Sequence, residues 1–259
     1  MQLGGLRVLA LRADQGASGA GPAEFSPGDS VTVTPIISDF NGGGRALTYS
    51  AIGCLDPGIS YGAEPSCAGN PTATTLGGGA VTLSGAVSST GQANTFTVSI
   101  PATILAGRSA LDQYNGVFYL VTYTLTAADG TTTKSFKRLT ASTPTKTKNQ
   151  NPTLVSILAN GSAMTTLPSG DVQVSVSYSA GSNETYTTMK SDGSLASVRE
   201  DLLTTFFVTD GTLKYFRTIN DQATTFSPPG AAPVGHQAAI VAVTRDPRGG
   251  VSVKVQQLN

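Results

Sequence analysis

Tryptophan is absent from these 259 residues, histidine occurs once, cysteine twice, and charged side chains make up only 12% of the chain. Each scarcity removes a class of function. With His236 alone, neither a histidine-based nucleophilic triad nor a multi-histidine metal site can be assembled within one chain; His236 reads as a residue at the start of a strand. Without Trp there is no indole platform for sugar stacking, although Tyr49, Tyr61, Tyr186 and Tyr215 could substitute in a carbohydrate-binding surface. Lys plus Arg equals Asp plus Glu at 16 each. A division near residue 142 leaves both halves nearly neutral, so neither has the basic excess that nucleic-acid binding needs. No apolar run is long enough to cross a bilayer, and the amino terminus lacks the basic, apolar and small-residue sections of a signal peptide, which implies that a targeting segment has been cut away. The nucleophile elbow, the phosphate-binding loop, the dinucleotide fingerprint and the helical zinc motif are all missing. No enzymatic activity and no cofactor are therefore expected, and a small-molecule ligand is not expected either.

The two cysteines, Cys54 and Cys67, flank a loop rich in Pro and Gly (LDPGISYGAEPS). A disulfide closing a loop of that length would stabilise by roughly 3 kcal/mol in the chain-entropy model. Such a bond implies periplasm, cell surface or medium. Two unrelated buried thiols are the alternative, and a metal site lacks the further His or Cys it would need.

Thr, Ser, Gly and Val are abundant, and they are arranged in one order that occurs twice. Leu6–Asp14 and Pro152–Gly161 are apolar-alternating openings. Each is followed by a small acidic turn and a strand, PGDSVTVTPIISD at 27–39 and SGDVQVSVSYSA at 169–180. Each half then closes with a hairpin, Phe118–Phe136 and Ala239–Val255. That order matches strands A, B, F and G of an immunoglobulin-like sandwich. The reading is all-β, with two tandem immunoglobulin-like β-sandwich domains at 1–142 and 152–259. The run between them at 143–151 is without apolar residues, cannot pack and reads as a linker.

Further strands are expected at Val31–Ile37, Leu47–Gly53, Val81–Val87, Thr95–Ile100 and Gly116–Leu125 in the first half. In the second they are expected at Asp171–Ala180, Leu202–Thr209, Leu213–Thr218, Ala239–Thr244 and Val251–Leu258. Asp129-Gly130 predicts a type I′ hairpin and Asp210-Gly211 repeats the signal. Asp246–Gly250 reads as a longer turn between the last two strands. Ala102–Asp112 is the one stretch that could form a short helix, and Tyr114 stands where a tyrosine corner would sit. Asp29, Asp39, Asp56 and Asp129 could gather around calcium, though without calcium-loop spacing; as turn residues they would accept backbone N–H bonds. Glu200-Asp201 reads as an exposed strand edge rather than a carboxylate pair. Asn160 and Asn183 match the N-glycosylation acceptor pattern.

The phrases LRVLALRAD, PGDSVTVTPIISDFNGGGRALTYSAIGC, REDLLTTFFVTDGTLKYFRT and VTRDPRGGVSVKV resemble the tandem immunoglobulin-like domains of predicted outer-membrane or surface lipoproteins from myxobacteria and other deltaproteobacteria. The resemblance implies a lipid anchor upstream of this chain, which would be its only link to a membrane. It also implies a core Trp, in whose place Phe206 and Phe207 stand.

Together these features predict an extracytoplasmic, non-enzymatic protein of the outer membrane, cell surface or periplasm, whose partner is another protein or itself. A filament subunit and a carbohydrate-binding module are the alternative readings. The candidate partner-binding loops are the Cys54–Cys67 loop, with Tyr61 and Glu64, and the long polar stretch 181–201, with Glu184, Tyr186, Lys190 and Arg199.

Overall fold

A computed structural model describes residues 1–15, 21–58, 63–87, 90–231, 233 and 237–259. Tyr61 and His236 lie outside the described residues. The first half runs β1 (Arg7–Asp14), β2 (Glu24–Phe25), β3 (Ser30–Ser38), β4 (Leu47–Leu55), β5 (Thr74–Ala80), β6 (Ser84–Val87), β7 (Thr90–Gln92), β8 (Phe96–Ser99), α1 (Ala110–Asn115), β9 (Val117–Ala127) and β10 (Thr132–Ala141). The second runs β11 (Leu154–Ala159), β12 (Ser162–Ala163), β13 (Val172–Tyr178), β14 (Thr185–Met189), β15 (Leu195–Arg199), β16 (Leu203–Val208), β17 (Thr212–Leu213), β18 (Arg217–Ile219), β19 (Thr224–Ser227), β20 (Ala238–Arg245) and β21 (Val251–Leu258). The all-β sandwich expectation holds in each half.

In the first sandwich, β1, β3, β6, β7 and β8 form one sheet, and the other has the order β2-β10-β9-β4-β5. Alternation along the strands fills the space between them: Val31 and Val33 of β3 meet Val121, Tyr123 and Leu125 of β9, with Phe25 and Leu139. The second sandwich stacks β12-β11-β13-β19-β17 on β18-β16-β20-β21 around Ile157, Val174, Phe206, Phe226 and Ile240.

A third apolar cluster joins the halves. Phe206 points into the second core, while its neighbour Phe207 packs with Val241, Val243 and Val251 against Leu3, Leu9, Ala10 and Ile36 of the first half. This explains why β20 reads Ala-Ala-Ile-Val-Ala-Val without alternation: its even positions line the sandwich core and its odd ones the junction. A strand covered on both faces has no polar face to show.

The structure corrects several expectations. The 143–151 run packs: Lys146, Asn149 and Asn151 are buried. It does so without apolar area, by satisfying polar groups. Asn151 Nδ2 donates to the Ala13 and Gly21 carbonyls at 2.8 and 3.0 Å, and its Oδ1 accepts from Val251 N at 2.7 Å. Lys148 Nζ donates to the Phe25, Ser142 and Thr143 carbonyls. Asp129-Gly130 does turn the β9–β10 hairpin, but only Gly130 has positive φ, at 85°. The turn is therefore not type I′; Gly130 N donates back to the Ala127 carbonyl at 2.9 Å, as in a type I turn ending on a left-handed residue. Asp210-Gly211 joins no hairpin, because β16 pairs with β18 and β20 while β17 crosses to β19 in the other sheet. The helix forms at Ala110–Asn115, later than expected, where Ser109 Oγ accepts from Asp112 N. The preceding 102–107 segment is a series of turns.

Candidate functional site

The β9–β10 hairpin carries apolar residues on both faces, and its outer face is where the cysteine loop sits. Cys54 at the end of β4 is bonded to Cys67, with Cα atoms 5.7 Å apart, and the pair packs on Leu120. The expected disulfide is present. Loop residues fasten the far side: Asn70 Nδ2 donates to the Leu55 carbonyl at 3.0 Å and Thr72 Oγ1 accepts from Leu55 N at 2.9 Å. Asp56 pairs with Arg138 of β10. Beside this tied loop, Ile52, Thr122 and Phe136 stand in one cross-strand row. Ile52 is 39% exposed and Phe136 48%, large apolar side chains left open on a sheet face. With Glu64, Pro65 and Lys134 they line a groove of about 480 Å³. Glu64 is thus on the groove wall.

The groove reaches Ala73, immediately before β5, the terminal strand of its sheet; among the described residues the β5 ladder is with β4, and Asn94 Nδ2 donates to the Ala80 carbonyl at its end. No charged residue occurs from 65 to 107, so the β5 edge lacks the lysines that normally blunt an exposed strand.

The 181–201 stretch is a β14–β15 hairpin rather than an open loop, and it is docked on the first half. Asn115 Oδ1 accepts from Met189 N at 2.8 Å, Asn115 Nδ2 donates to the Met189 carbonyl at 2.9 Å, and Tyr114 Oη lies 2.5 Å from Thr187 Oγ1. Tyr114 therefore clamps this hairpin and makes no tyrosine corner. Of the residues selected from sequence, Glu184 pairs with Arg248, and the Tyr186 ring lies 4.2 Å from the Arg248 guanidinium carbon. Arg199 Nε donates to Asn183 Oδ1 at 2.8 Å, and Lys190 is exposed beside the hairpin tip.

Arg248, presented by the Asp246–Gly250 turn, is the hub. Its Nε donates to Glu200 Oε1 at 2.7 Å and its Nη1 lies 3.7 Å from Glu24 Oε2, while Lys146 Nζ bonds Glu24 Oε1 at 2.9 Å. Burial raises the Glu200 carboxyl above its ordinary range, with Arg248 opposing. Burial would lower the Arg248 guanidinium, but the bonds and charge of Glu200 and Glu184 outweigh it and hold it raised. Glu200 is buried, so the Glu200-Asp201 pair is no simple exposed edge. It fails because Glu200 lies just past β15 and turns into the junction.

Asp29, Asp39, Asp56 and Asp129 sit in separate turns or pairs, Arg45 joining Asp39 to Asp129. Among the described residues no group of three or more His, Cys, Asp or Glu could hold a metal ion. Tyr49 is stacked on Tyr123 and Phe96 in the first sandwich, whereas Tyr215 is 62% exposed. Sequence reasoning missed Ile52, Phe136, Glu24, Lys146 and Arg248. The available signals were the alternate Phe118 and Phe136 beside an already apolar inward face, and the uncharged stretch at 65–107.

No family model matches this chain, and no curated protein does. Among solved structures it is similar to red sea bream transglutaminase, with 12% identity over 98% of this chain and 31% of that one at a TM-score of 0.28. A DUF4466 family protein from Parabacteroides merdae gives 9% identity over 99% of both chains at 0.27, and murine CEACAM1b 11% over 96% and 99% at 0.22. The chain thus spans about a third of the transglutaminase. Such low scores carry no argument about function, and the sandwich architecture stands on the sheets themselves. Among the described residues no helix is long and apolar enough to cross a membrane.

Proposed function

We propose that this chain is a non-enzymatic extracytoplasmic binding protein that recruits an extended protein segment to the β5 edge and the adjoining disulfide-tied groove. The observation that carries this reading is the juxtaposition of exposed Ile52 and Phe136 with a terminal strand free of charge. A strand added to β5 would hydrogen-bond along its backbone and set its side chains beside Thr75, which pairs with Ile52, and the flanking part of the segment would turn over the sheet face to reach Ile52 and Phe136. The disulfide supports an oxidising compartment, since such bonds are rare in the cytosol. Attachment to an outer membrane through a lipid anchor, as in the lipoprotein family that the sequence resembles, belongs to the same proposal.

A second reading is favoured by one feature of the same edge: an uncharged strand meets no like-charge repulsion from a second copy, and the chain's formal net charge is zero. Antiparallel β5–β5 pairing would be self-complementary under two-fold symmetry. The test compares the wild type with the Thr75→Lys/Phe136→Ser variant, both oxidised, for binding to envelope fractions and for mass across a concentration series. Loss of envelope binding in the folded variant supports the first reading, and wild-type growth into dimers that the variant lacks supports the second. Equal behaviour of the two proteins on both measures would overturn the assignment of this surface.

A further inference from the structure

At the junction of the two halves, the outer face of the β18-β16-β20-β21 sheet is only partly covered by the first half. The Phe207, Val241 and Val243 side chains are sealed under β1. Towards β18 the cover ends, and a cleft of about 460 Å³ opens between Val8, Leu9 and Thr133 of the first half and Leu203, Thr205 and Phe207 of the second. Three arginines converge there, Arg7 from β1, Arg217 from β18 and Arg245 from β20. Register places Arg217 opposite Thr205 and Arg245 opposite Leu203, in adjacent rows of one sheet face.

Among the described residues no acidic side chain lines this cleft, and none of the three arginines has a carboxylate within ion-pair distance. Their partners are weak or neutral. Arg7 Nη1 lies 2.7 Å from the Met1 thioether, Arg245 Nη2 donates to the Leu9 carbonyl at 2.6 Å, and the Arg217 guanidinium carbon stands 5.3 Å from the Phe216 ring centre. Arg138, Arg45 and Arg248, by contrast, are each matched by carboxylates. Burial, and then the charge of Arg217, push the Arg245 pKa down. In a chain of zero net charge, three guanidiniums gathered without a counter-charge form a local excess that a bound anion would offset.

We propose that this cleft binds a multiply charged oxyanion, a phosphate or sulfate group. Guanidinium N–H donors match such oxygens in paired, planar geometry. A single carboxylate would neutralise only one of the three cations. Exposed Leu203 and Ile219 form a paired apolar rim beside the arginines, which suits an oxyanion carried on an organic group as well as a free one.

The probe is pyrophosphate, titrated calorimetrically into the intact oxidised chain in low-salt buffer free of phosphate. Saturable one-to-one binding is expected, weakened at least tenfold in Arg7→Gln/Arg217→Gln and suppressed by added salt. Should that variant fold poorly, Thr133→Glu, which places a carboxylate at the cleft wall without removing an arginine, is expected to abolish binding. Co-sedimentation with phosphatidylglycerol–phosphatidylcholine vesicles separates the sources: loss of vesicle binding in the same variants assigns the site to a lipid headgroup, and absence of vesicle binding alongside pyrophosphate binding assigns it to a soluble oxyanion. No pyrophosphate binding by the wild type, or equal binding by the folded variants, overturns the proposal.

Discussion

Lys137 and Arg248 show how single charged residues hold the two sandwiches together. Lys137 lies on β10 of the first sandwich and its Nζ donates to the Gly249 carbonyl of the second. Burial lowers its pKa to about 8, with Asp246 opposing. Between pH 8 and 10.5 the unfolded chain keeps a proton that the native state has released, so this group's contribution to stability rises with pH, by about 3 kcal/mol at most. Denaturant titrations of wild type and Lys137→Met are expected to show that rise in the wild type minus variant difference; a flat difference would contradict it. Removing Arg248 leaves Glu24, Glu184 and Glu200 with a missing cation, and Arg248→Ala is expected to cost about 3–5 kcal/mol. Because Glu200 then keeps only the Glu184 N–H bond against burial, its pKa rises further. Native protonation outlasts that of the unfolded chain, and the deficit is expected to shrink as pH falls towards 5 in parallel denaturant titrations. These roles were not legible in the sequence: Glu24 and Arg248 lie 224 positions apart, and nothing local marks them as partners.

Strands and turns were far more legible than the pairs that join them. β3, β4, β8, β9 and β21 were readable because alternation or a short apolar run ended at Gly, Pro or Asp. The failures have physical causes. Asp210-Gly211 carries hairpin residues, yet Gly211 is needed for another reason: its φ is 78°, and a Cβ there would meet the Ser227 carbonyl oxygen at 2.5 Å. That glycine lets the chain cross from one sheet to the other. Gly211→Ala is expected to cost about 2–4 kcal/mol, combining a left-handed backbone with overpacking, which a melting shift would record; a shift near zero would show that the crossover relaxes. The 181–201 hairpin looked like a free loop because its polar residues spend themselves on Asn115, Tyr114 and Arg248 rather than on solvent, and composition does not distinguish the two.

On the scale of the whole molecule, the junction combines an apolar cluster, a buried ionic hub and a polar connector. Truncating its largest apolar side chain, Phe207→Ala, is expected to cost about 3–5 kcal/mol and to split one calorimetric unfolding transition into two; a single transition with an unchanged midpoint would contradict a coupled junction. The repeated strand order made two sandwiches readable, but their mutual packing was hidden in residues such as Phe207 and Ile36, which interrupt simple alternation. With that junction closed, the β5 edge with its groove and the arginine cleft stand open to partners. The most direct measurement of the central claim is hydrogen–deuterium exchange of the oxidised protein with and without a saturating envelope fraction. Added protection of the Thr74–Ala80 amides, with the Ile52 and Phe136 segments following, is the outcome expected for strand addition. Unchanged exchange at β5 while protection appears elsewhere would contradict it.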